Sequence, residues 1–192
     1  MNKLVIASNN PKKRAEIEQI LNSLNIEVVP AADTVFVDVV EDADSFAGNA
    51  KKKADAFMEA NRCAALADDS GLCVAALDGA PGVYSARFAG EDATDADNNT
   101  KLLHALKGVK DRSAHFICTL HLSMPNQPDI TAEGRVEGVI IEQETGDTGF
   151  GYDPLFFCPE LDKTFAQSTA QEKASISHRG RALRAFQQKL TQ

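Results

Sequence analysis

The sequence lacks the marks of a membrane, secreted or disulfide-linked protein. No apolar run approaches the about 20 residues that cross a bilayer, and the N-terminal MNKLVIASNNPKK has too short an apolar centre for a secretory signal. The four cysteines are scattered among apolar neighbours without a CxxC pair or a Cys/His cluster, which argues against disulfides and zinc. These absences favour a cytoplasmic protein with reduced, buried thiols and no membrane partner.

Positive charge is also scarce overall, with 20 basic residues against 28 acidic ones and a net charge of −8. An acidic chain is repelled by phosphate backbones, which disfavours nucleic acid as a partner. The basic residues are nevertheless concentrated in three runs, at 12–14, 51–53 and 177–184. Such runs are either solvated faces or parts of a site for a small polyanion.

The pattern of apolar residues predicts an α/β fold with a mixed sheet. Apolar runs and alternation predict strands at 3–8, 26–30, 63–67, 115–123 and 131–141, the last two as a long hairpin. Helical spacing predicts helices at 12–24, 45–62, 94–106 and 173–190. No linker or repeat interrupts the 192 residues, so we expect a single domain, 1–192, with one core or two lobes sharing one.

Two polar segments follow predicted strands. The first, between a strand and a helix start, contains Ser8, Asn9, Asn10, Lys12 and Lys13. A helix N-terminus binds anions through unpaired N–H groups, and lysine adds charge, although Ser or Asn there also serves as an ordinary helix cap. The GxxxxGK[ST] pattern of a P-loop is missing.

The second segment is Asp68-Asp69-Ser70-Gly71, predicted to end the strand at 63–67. Adjacent carboxylates after an apolar strand are rarely buried unless they are paired or bind a metal, and such oxygen ligands suit Mg²⁺. One carboxylate can also act as a general base for water, whereas the alternative is an Asp-rich turn. Lys53 lies on the apolar stripe of the helix at 45–62, where it either delivers charge to this site or covers the core with its stem.

A third group of residues could recognise a nucleobase. Phe150 and Tyr152 flank Gly151 in a loop that ends at Asp153, and the basic residues Lys173, His178 and Arg179 follow at a helix start. Aromatic rings stack on bases, and a carboxylate beside cationic donors matches the N1–H donor and O6 acceptor of a 6-oxopurine. The alternative is a polar loop that packs against a basic helix.

The ordered set of motifs resembles the inosine/xanthosine triphosphate pyrophosphatase family. The matching strings, which run from Ala7 to Leu183, are ASNNPKK, FAGNAKKKA, ADDSGL, GAPGVYSARFAG, FGYDPLFF and EKASISHRGRAL. The resemblance implies an elongated two-lobed α/β subunit with a central mixed β-sheet flanked by helices and a cleft between the lobes. It also implies a homodimer that hydrolyses ITP, dITP and XTP to the monophosphate and pyrophosphate, which cleanses the nucleotide pool.

The resemblance assigns a role to each matching residue. It implies that Asp69 is the general base, and that Glu41, Asp69 and Asp68 hold Mg²⁺. The implied triphosphate ligands are Ser8, Asn9, Asn10, Lys12, Lys13, Lys53 and Ser70. The implied base pocket consists of Phe150, Gly151, Tyr152, Asp153, Lys173, His178 and Arg179.

One residue departs from the family pattern. Gly48 stands in Phe46-Ala47-Gly48-Asn49-Ala50 where similar chains have glutamate, which leaves the number of metal ions open. Two other functions also remain open: a related pyrophosphatase for pyrimidine or modified nucleotides, and a nucleotide sensor without turnover. The retained aspartate pair argues against the sensor, because binding alone needs no general base.

Overall fold

The computed structural model describes residues 3–23 and 26–190. The strands in this part of the chain are β1 Leu4–Ile6, β2 Ala64–Val74, β3 Ser113–Ser123, β4 Ile130–Ile140, β5 Phe156–Cys158 and β6 Lys163–Thr164. The α-helices are α1 Pro11–Ser23, α2 Phe46–Asn61, α3 Asp95–Ala105, α4 Ala170–Ile176 and α5 His178–Leu190. None of the described helices is both long and apolar enough to cross a membrane.

The strands form one sheet in the order β1-β2-β3-β4-β5-β6. β1 runs parallel to β2, with Leu4 opposite Ala64 and Ile6 opposite Leu66. β5 is antiparallel to both β4 and β6, so the sheet is mixed as the sequence predicted. β4 alternates between buried and exposed side chains along its length, which is the pattern of a strand with one face in the core.

The chain divides into two compact units, each built from separate stretches of sequence. The first contains 1–69, 118–134 and 179–192, and its buried core includes Val5, Phe57 and Ala65. The second contains 70–117 and 135–178, with a core that includes Leu102 and Phe156. The prediction of a single domain with two lobes stays a prediction.

Two strand predictions were wrong. The segment 26–30 makes only an isolated bridge, between Leu4 and Val28, before the chain enters a 3₁₀ turn at Ala31–Asp33. The strand at 63–67 does not end at Asp68, because β2 continues through both aspartates to Val74. Aspartate is depleted in strands, but these carboxylates have buried partners that offset the cost of the position.

The predicted helix at 173–190 is divided into two. Ser177 has an extended backbone, with φ −60° and ψ 159°, and it separates α4 from α5. Its N–H still donates to the carbonyl of Lys173 at 2.8 Å. The helical spacing of apolar residues continues across the break, so the sequence does not reveal it. The break makes His178 the first residue of α5. Leu24, the predicted end of the first helix, lies outside the described residues.

Candidate active site

Asp68 and Asp69 are buried in the middle of β2, in the first unit. The two residues are 1% and 5% exposed. Successive residues of a strand point to opposite faces, so the two carboxylates face different surroundings. Ser70, the next residue, is half-buried and begins the second unit. The pair therefore divides into two local sites.

Asp68 forms an ion pair with Arg179, the second residue of α5. Its Oδ2 accepts hydrogen bonds from Arg179 Nε at 3.2 Å and from Nη2 at 2.8 Å. Arg179 Nη1 donates to Glu16 on α1, so the buried guanidinium is held between two carboxylates. Burial alone would raise the pKa of Asp68, but attraction by Lys13, Arg179 and Lys53 outweighs it and lowers the pKa. Asp68 is therefore a fixed negative charge.

Asp69 lies on the face that α2 covers. Asn49 and Lys53, one helical turn apart on α2, both approach it, with Asn49 Nδ2 donating to Asp69 Oδ2 at 3.1 Å. Lys53 Nζ lies 3.7 Å from Asp69 Oδ1 and 2.7 Å from Glu41 Oε2. Asn49 Oδ1 accepts from the N–H of Ala43 at 2.9 Å, which fixes the orientation of the amide. The predicted residues Glu41, Lys53 and Asp69 thus form one cluster.

The pKa values of this cluster depend on burial and on the neighbouring charges. Burial would lower the pKa of Lys53, but Asp69, Asp68 and Glu41 raise it, so the lysine stays charged. Pairing with Lys53 should lower the pKa of Asp69, yet that pKa is also raised. Burial is the largest cause and Glu41 adds to it, and together they outweigh Lys53 and Lys13. Asp69 therefore holds a proton more readily than an exposed aspartate.

Asn10 caps α1, as the simpler interpretation of the SNNPKK segment expected. Its Oδ1 accepts from the N–H groups of Lys12 at 2.9 Å and Lys13 at 3.2 Å, and Pro11 has no N–H. Ser8 Oγ accepts from the N–H of Asn10 at 3.3 Å. The first N–H groups of the helix are thus engaged, and anion binding by this segment stays a prediction that depends on side chains.

The remaining residues of that segment differ in their surroundings. Asn9 is exposed, and its Nδ2 donates to the carbonyl of Val37 at 3.0 Å. Lys12 is exposed and Lys13 half-buried. The positive charge of Lys13 favours the ionised form of both Asp68 and Asp69, although the pKa of Asp69 is raised overall. The charge of Lys13 therefore acts on the aspartate pair. The structure therefore connects Lys13, more than Lys12, to the predicted catalytic residues.

The second unit contains a buried ion pair between Asp153 and Lys173. Lys173 Nζ lies 2.7 Å from Asp153 Oδ2, and the same oxygen accepts from the N–H of Phe150 at 2.9 Å. The ammonium also lies over the ring of Phe150, 4.8 Å from its centroid. Four of the predicted base-pocket residues, Phe150 to Asp153, are contiguous, and Lys173 joins them. This arrangement offers a carboxylate, an ammonium and a half-buried ring.

The side chains of Tyr152, His178 and Arg179, also predicted for the base pocket, have other partners. Tyr152 is buried in the core of the second unit, where its hydroxyl donates to the carbonyl of Ser85 at 2.9 Å, and its pKa is raised by burial and by Asp95. His178 stacks on Phe116, with centroids 4.7 Å apart. Arg179 contacts Asp68 and Glu16, as described above. Base contact by these three side chains stays a prediction.

Residue 149 must be a glycine because the side chain of Asp153 occupies the space that a Cβ atom would need. It has φ +80°, and a Cβ built there would overlap Asp153 Oδ2, the oxygen that Lys173 and Phe150 share. Gly151 also has positive φ, +61°, but open space around its Cβ position.

We expect Gly149→Ala to displace the Asp153 carboxylate and to raise the KM for ITP by about tenfold or more, since that factor corresponds to only about 1.4 kcal/mol. Gly151→Ala adds backbone strain without a clash, so its effect should be smaller. Steady-state kinetics on both variants check this. Equal KM values in the two variants would mean that the overlap with Asp153 is not what raises the KM.

Several residues that the structure brings into these clusters were missed by the sequence analysis. They are Glu16, Asn49, Asp95 and Asn99, of which the last two form hydrogen bonds with the backbone of Gly151. Asn49 precedes Lys53 by one helical turn, so the same helical projection that selected Lys53 could have found it. Glu16 meets Arg179 across 163 positions of sequence, and nothing in the sequence alone indicates that contact.

The departure at Gly48 also has a structural account. Ser45 caps α2 and accepts from the N–H of Gly48, and a Cβ at Gly48 would lie 2.8 Å from Ala43 Cβ. A glutamate at this position would require the chain around Ala43 to move. Within the described cluster, the carboxylates facing α2 are therefore Glu41 and Asp69.

A second cluster of potential metal ligands lies elsewhere in the first unit. Asp55, His121 and Asp129 lie close enough to share an ion. Lys51 Nζ lies 3.0 Å from a carboxylate oxygen of each aspartate, and His121 Nε2 lies 3.1 Å from Asp129 Oδ2. The lysine ammonium thus supplies the cation for this cluster.

Comparison with known proteins agrees with the motifs. The chain is 50% identical over 190 residues to the dITP/XTP pyrophosphatase of Syntrophobacter fumaroxidans, covering 98% of this chain and 82% of that protein. It is 51% identical over 185 residues to the dITP/XTP pyrophosphatase of Desulforamulus reducens, covering 95% and 92%.

A solved structure of a HAM1 protein from Coxiella burnetii superimposes with a TM-score of 0.88 at 41% identity, covering 100% of this chain and 99% of that one. The model of the Ham1 family matches residues 4–189. The chain, with its α/β fold and its buried aspartate pair, belongs to the Ham1 family.

Proposed function

We propose that this protein hydrolyses the deaminated purine nucleotides dITP, ITP and XTP to the monophosphate and pyrophosphate. The observation that carries the proposal is the buried cluster of Asp69 with Asn49, Lys53 and Glu41. A carboxylate whose pKa is raised, beside a charged lysine, suits proton transfer from water next to a bound phosphate. Similar proteins named dITP/XTP pyrophosphatase support the choice of substrate.

The donor set around Asp69 fits Mg²⁺. Glu41 and Asp69 offer hard oxygen ligands, and burial together with Glu41 raises the pKa of Asp69. We propose that these two residues hold the ion, with Asp68 acting as a nearby negative charge. When bound, Mg²⁺ neutralises the charge that develops on the leaving pyrophosphate.

The protein's own groups then have distinct tasks. Asp69 accepts the proton of the attacking water through a carboxylate oxygen, while Asn49 holds the other oxygen and so fixes the carboxylate plane. Lys53 and Lys13 supply positive charge for the phosphates, with Ser8 and Asn10 nearby in sequence. Such preorganised charge is the main source of catalysis in phosphoryl transfer.

The Asp153–Lys173 pair accounts for selection of a 6-oxopurine. A carboxylate accepts from the N1–H of hypoxanthine or xanthine, and an ammonium donates to O6. Adenine reverses both groups, so its N1 lone pair would face a carboxylate and its amino group would face an ammonium, and polar sites reject such mismatches strongly. Phe150, half-buried beside Lys173, supplies a ring for stacking.

The products of ITP hydrolysis test this function. We expect the purified protein with Mg²⁺ to release pyrophosphate and IMP from ITP, and ITP and XTP to be preferred over dTTP and UTP in competition. Ion-exchange chromatography of the products, with a coupled pyrophosphate assay, separates the outcomes. Orthophosphate as the first product would refute the reaction, and tight ITP binding without turnover would favour a sensor. A preference for dTTP or UTP would favour a pyrimidine enzyme.

Two expectations from the sequence accompany this proposal. The homodimer and the cytoplasmic location stay predictions. A measured mass in solution decides the first.

A further inference from the structure

The backbone N–H and the carbonyl of Gly151 are both hydrogen-bonded by side chains of α3. The N–H of Gly151 donates to Asp95 Oδ2 at 2.8 Å, and its carbonyl accepts from Asn99 Nδ2 at 3.2 Å. Asp95 and Asn99 are one helical turn apart, so they present their side chains on the same face of α3. All three residues belong to the second unit. One helix thus fixes both polar groups of a single loop residue.

The orientation of Asn99 shows that this contact determines its position. Asn99 is only 3% exposed, and its Oδ1 has no hydrogen-bond partner among the described residues. Rotating the amide by 180° would place Oδ1 against the carbonyl of Gly151 and lose the bond. The bond from its Nδ2 to Gly151 is therefore the hydrogen bond that orients this buried amide.

Gly151 lies between the two features that the proposed function uses to recognise the base. Phe150 precedes it, and the carboxylate of Asp153 follows two residues later. The N–H of Phe150 donates to Asp153 Oδ2, so the loop is closed on itself and moves as a unit. Gly151 has φ +61°, a conformation that the loop can leave if its peptide is released. The α3 contacts are therefore an external anchor for this loop.

We propose that Asp95 and Asn99 are positioning residues for base selection, acting through the Gly151 peptide. The inference rests on the proposed function, because it assigns to α3 the alignment of the loop that reads the 6-oxopurine. Neither side chain needs to touch the substrate. Loss of either hydrogen bond lets Phe150 and Asp153 shift, which weakens contacts that ITP uses and ATP does not.

The neighbouring Asn98 is a matched control. It is equally buried, at 3% exposed, and it makes the same kinds of bond to another loop. Its Nδ2 donates to the carbonyl of Ala86 at 3.1 Å, and its Oδ1 accepts from the N–H of Ala89 at 2.7 Å. Asn98→Ala therefore removes a buried amide from the same helix without releasing Gly151.

The experiment measures kcat and KM for ITP and for ATP in four variants. Asn99→Ala and Asp95→Ala should each lower the ratio of kcat/KM for ITP over ATP by about tenfold, the scale of one lost hydrogen bond, mainly through the KM for ITP. Asp95→Asn keeps an acceptor oxygen for the N–H of Gly151 and should retain most of the selectivity. Asn98→Ala should leave the ratio unchanged.

The ratio separates positioning from stability, because partial unfolding lowers turnover of both substrates equally. Unchanged ratios in Asn99→Ala and Asp95→Ala would overturn the inference while the wild-type protein still hydrolysed ITP. An equal fall in Asn98→Ala would also overturn it, since the effect would then belong to α3 as a whole. A wild-type protein without a preference for ITP would overturn the proposed function and the inference together.

Discussion

Asp69→Asn is expected to lower kcat for ITP by about 10²- to 10⁴-fold, the usual contribution of a general base. Asparagine has the same shape and still offers an oxygen to Asn49, but it cannot take a proton from water. Lys53 keeps Glu41 as a partner at 2.7 Å, so the variant does not leave a buried ammonium unpaired. At a saturating concentration of Mg²⁺, which Asp69 is also proposed to hold, the loss should therefore fall on the chemical step and not on folding.

The measurement is single-turnover hydrolysis of ITP, with thermal unfolding recorded for the same sample. Glu133→Gln on the exposed side of β4 removes one negative charge far along the sequence from the cluster and serves as the control. We expect its rate to match that of the wild-type protein. An Asp69→Asn protein that is folded and turns over ITP at the wild-type rate would remove Asp69 from the mechanism.

The sequence predicted which polar side chains are buried better than it predicted the bounds of the elements that hold them. Lys53, selected because it lies on the apolar stripe of its helix, is indeed buried beside Asp69. The expectation that adjacent buried aspartates require partners is also confirmed, by Arg179 on one face and Asn49 on the other. Both results follow from the cost of burying charge, which acts locally and can be inferred from a short segment.

The parts that failed depend on contacts between distant residues. The strand was predicted to end at the aspartates, yet β2 runs through them, and 111 positions separate Asp68 from the arginine that stabilises it there. If the predicted strand had been continued through Asp69, the alternation of side chains along a strand would have placed the two carboxylates on opposite faces. The division between α4 and α5 was missed because Ser177 preserves the helical spacing of its neighbours.

The buried Asp68–Arg179 pair should dominate the stability of the first unit. Arg179→Met retains much of the apolar stem but leaves Asp68 as a buried carboxylate without its arginine, and we expect a loss of about 3–5 kcal/mol in the free energy of unfolding at pH 7. Combining it with Asp68→Asn removes the charge as well, so the double variant should recover most of that loss. Urea unfolding of both single variants and the double variant gives the coupling between the two residues. A double variant no more stable than Arg179→Met would contradict this account.

The pH dependence of the free energy of unfolding gives an independent check on the direction in which the pKa of Asp68 changes. In the wild-type protein the folded pKa of Asp68 is lowered, so its contribution is present above the unfolded value of about 3.9 and is lost as pH falls towards the folded pKa. Without Arg179, burial is opposed only by the charges of Lys13 and Lys53, so the pKa of Asp68 rises relative to the wild-type protein. The folded variant then binds a proton more readily than the folded wild-type protein, so its deficit in the free energy of unfolding should narrow as pH falls from 7 to about 4. A deficit that stays constant over that range would mean that the carboxylate of Asp68 is not the group left unpaired.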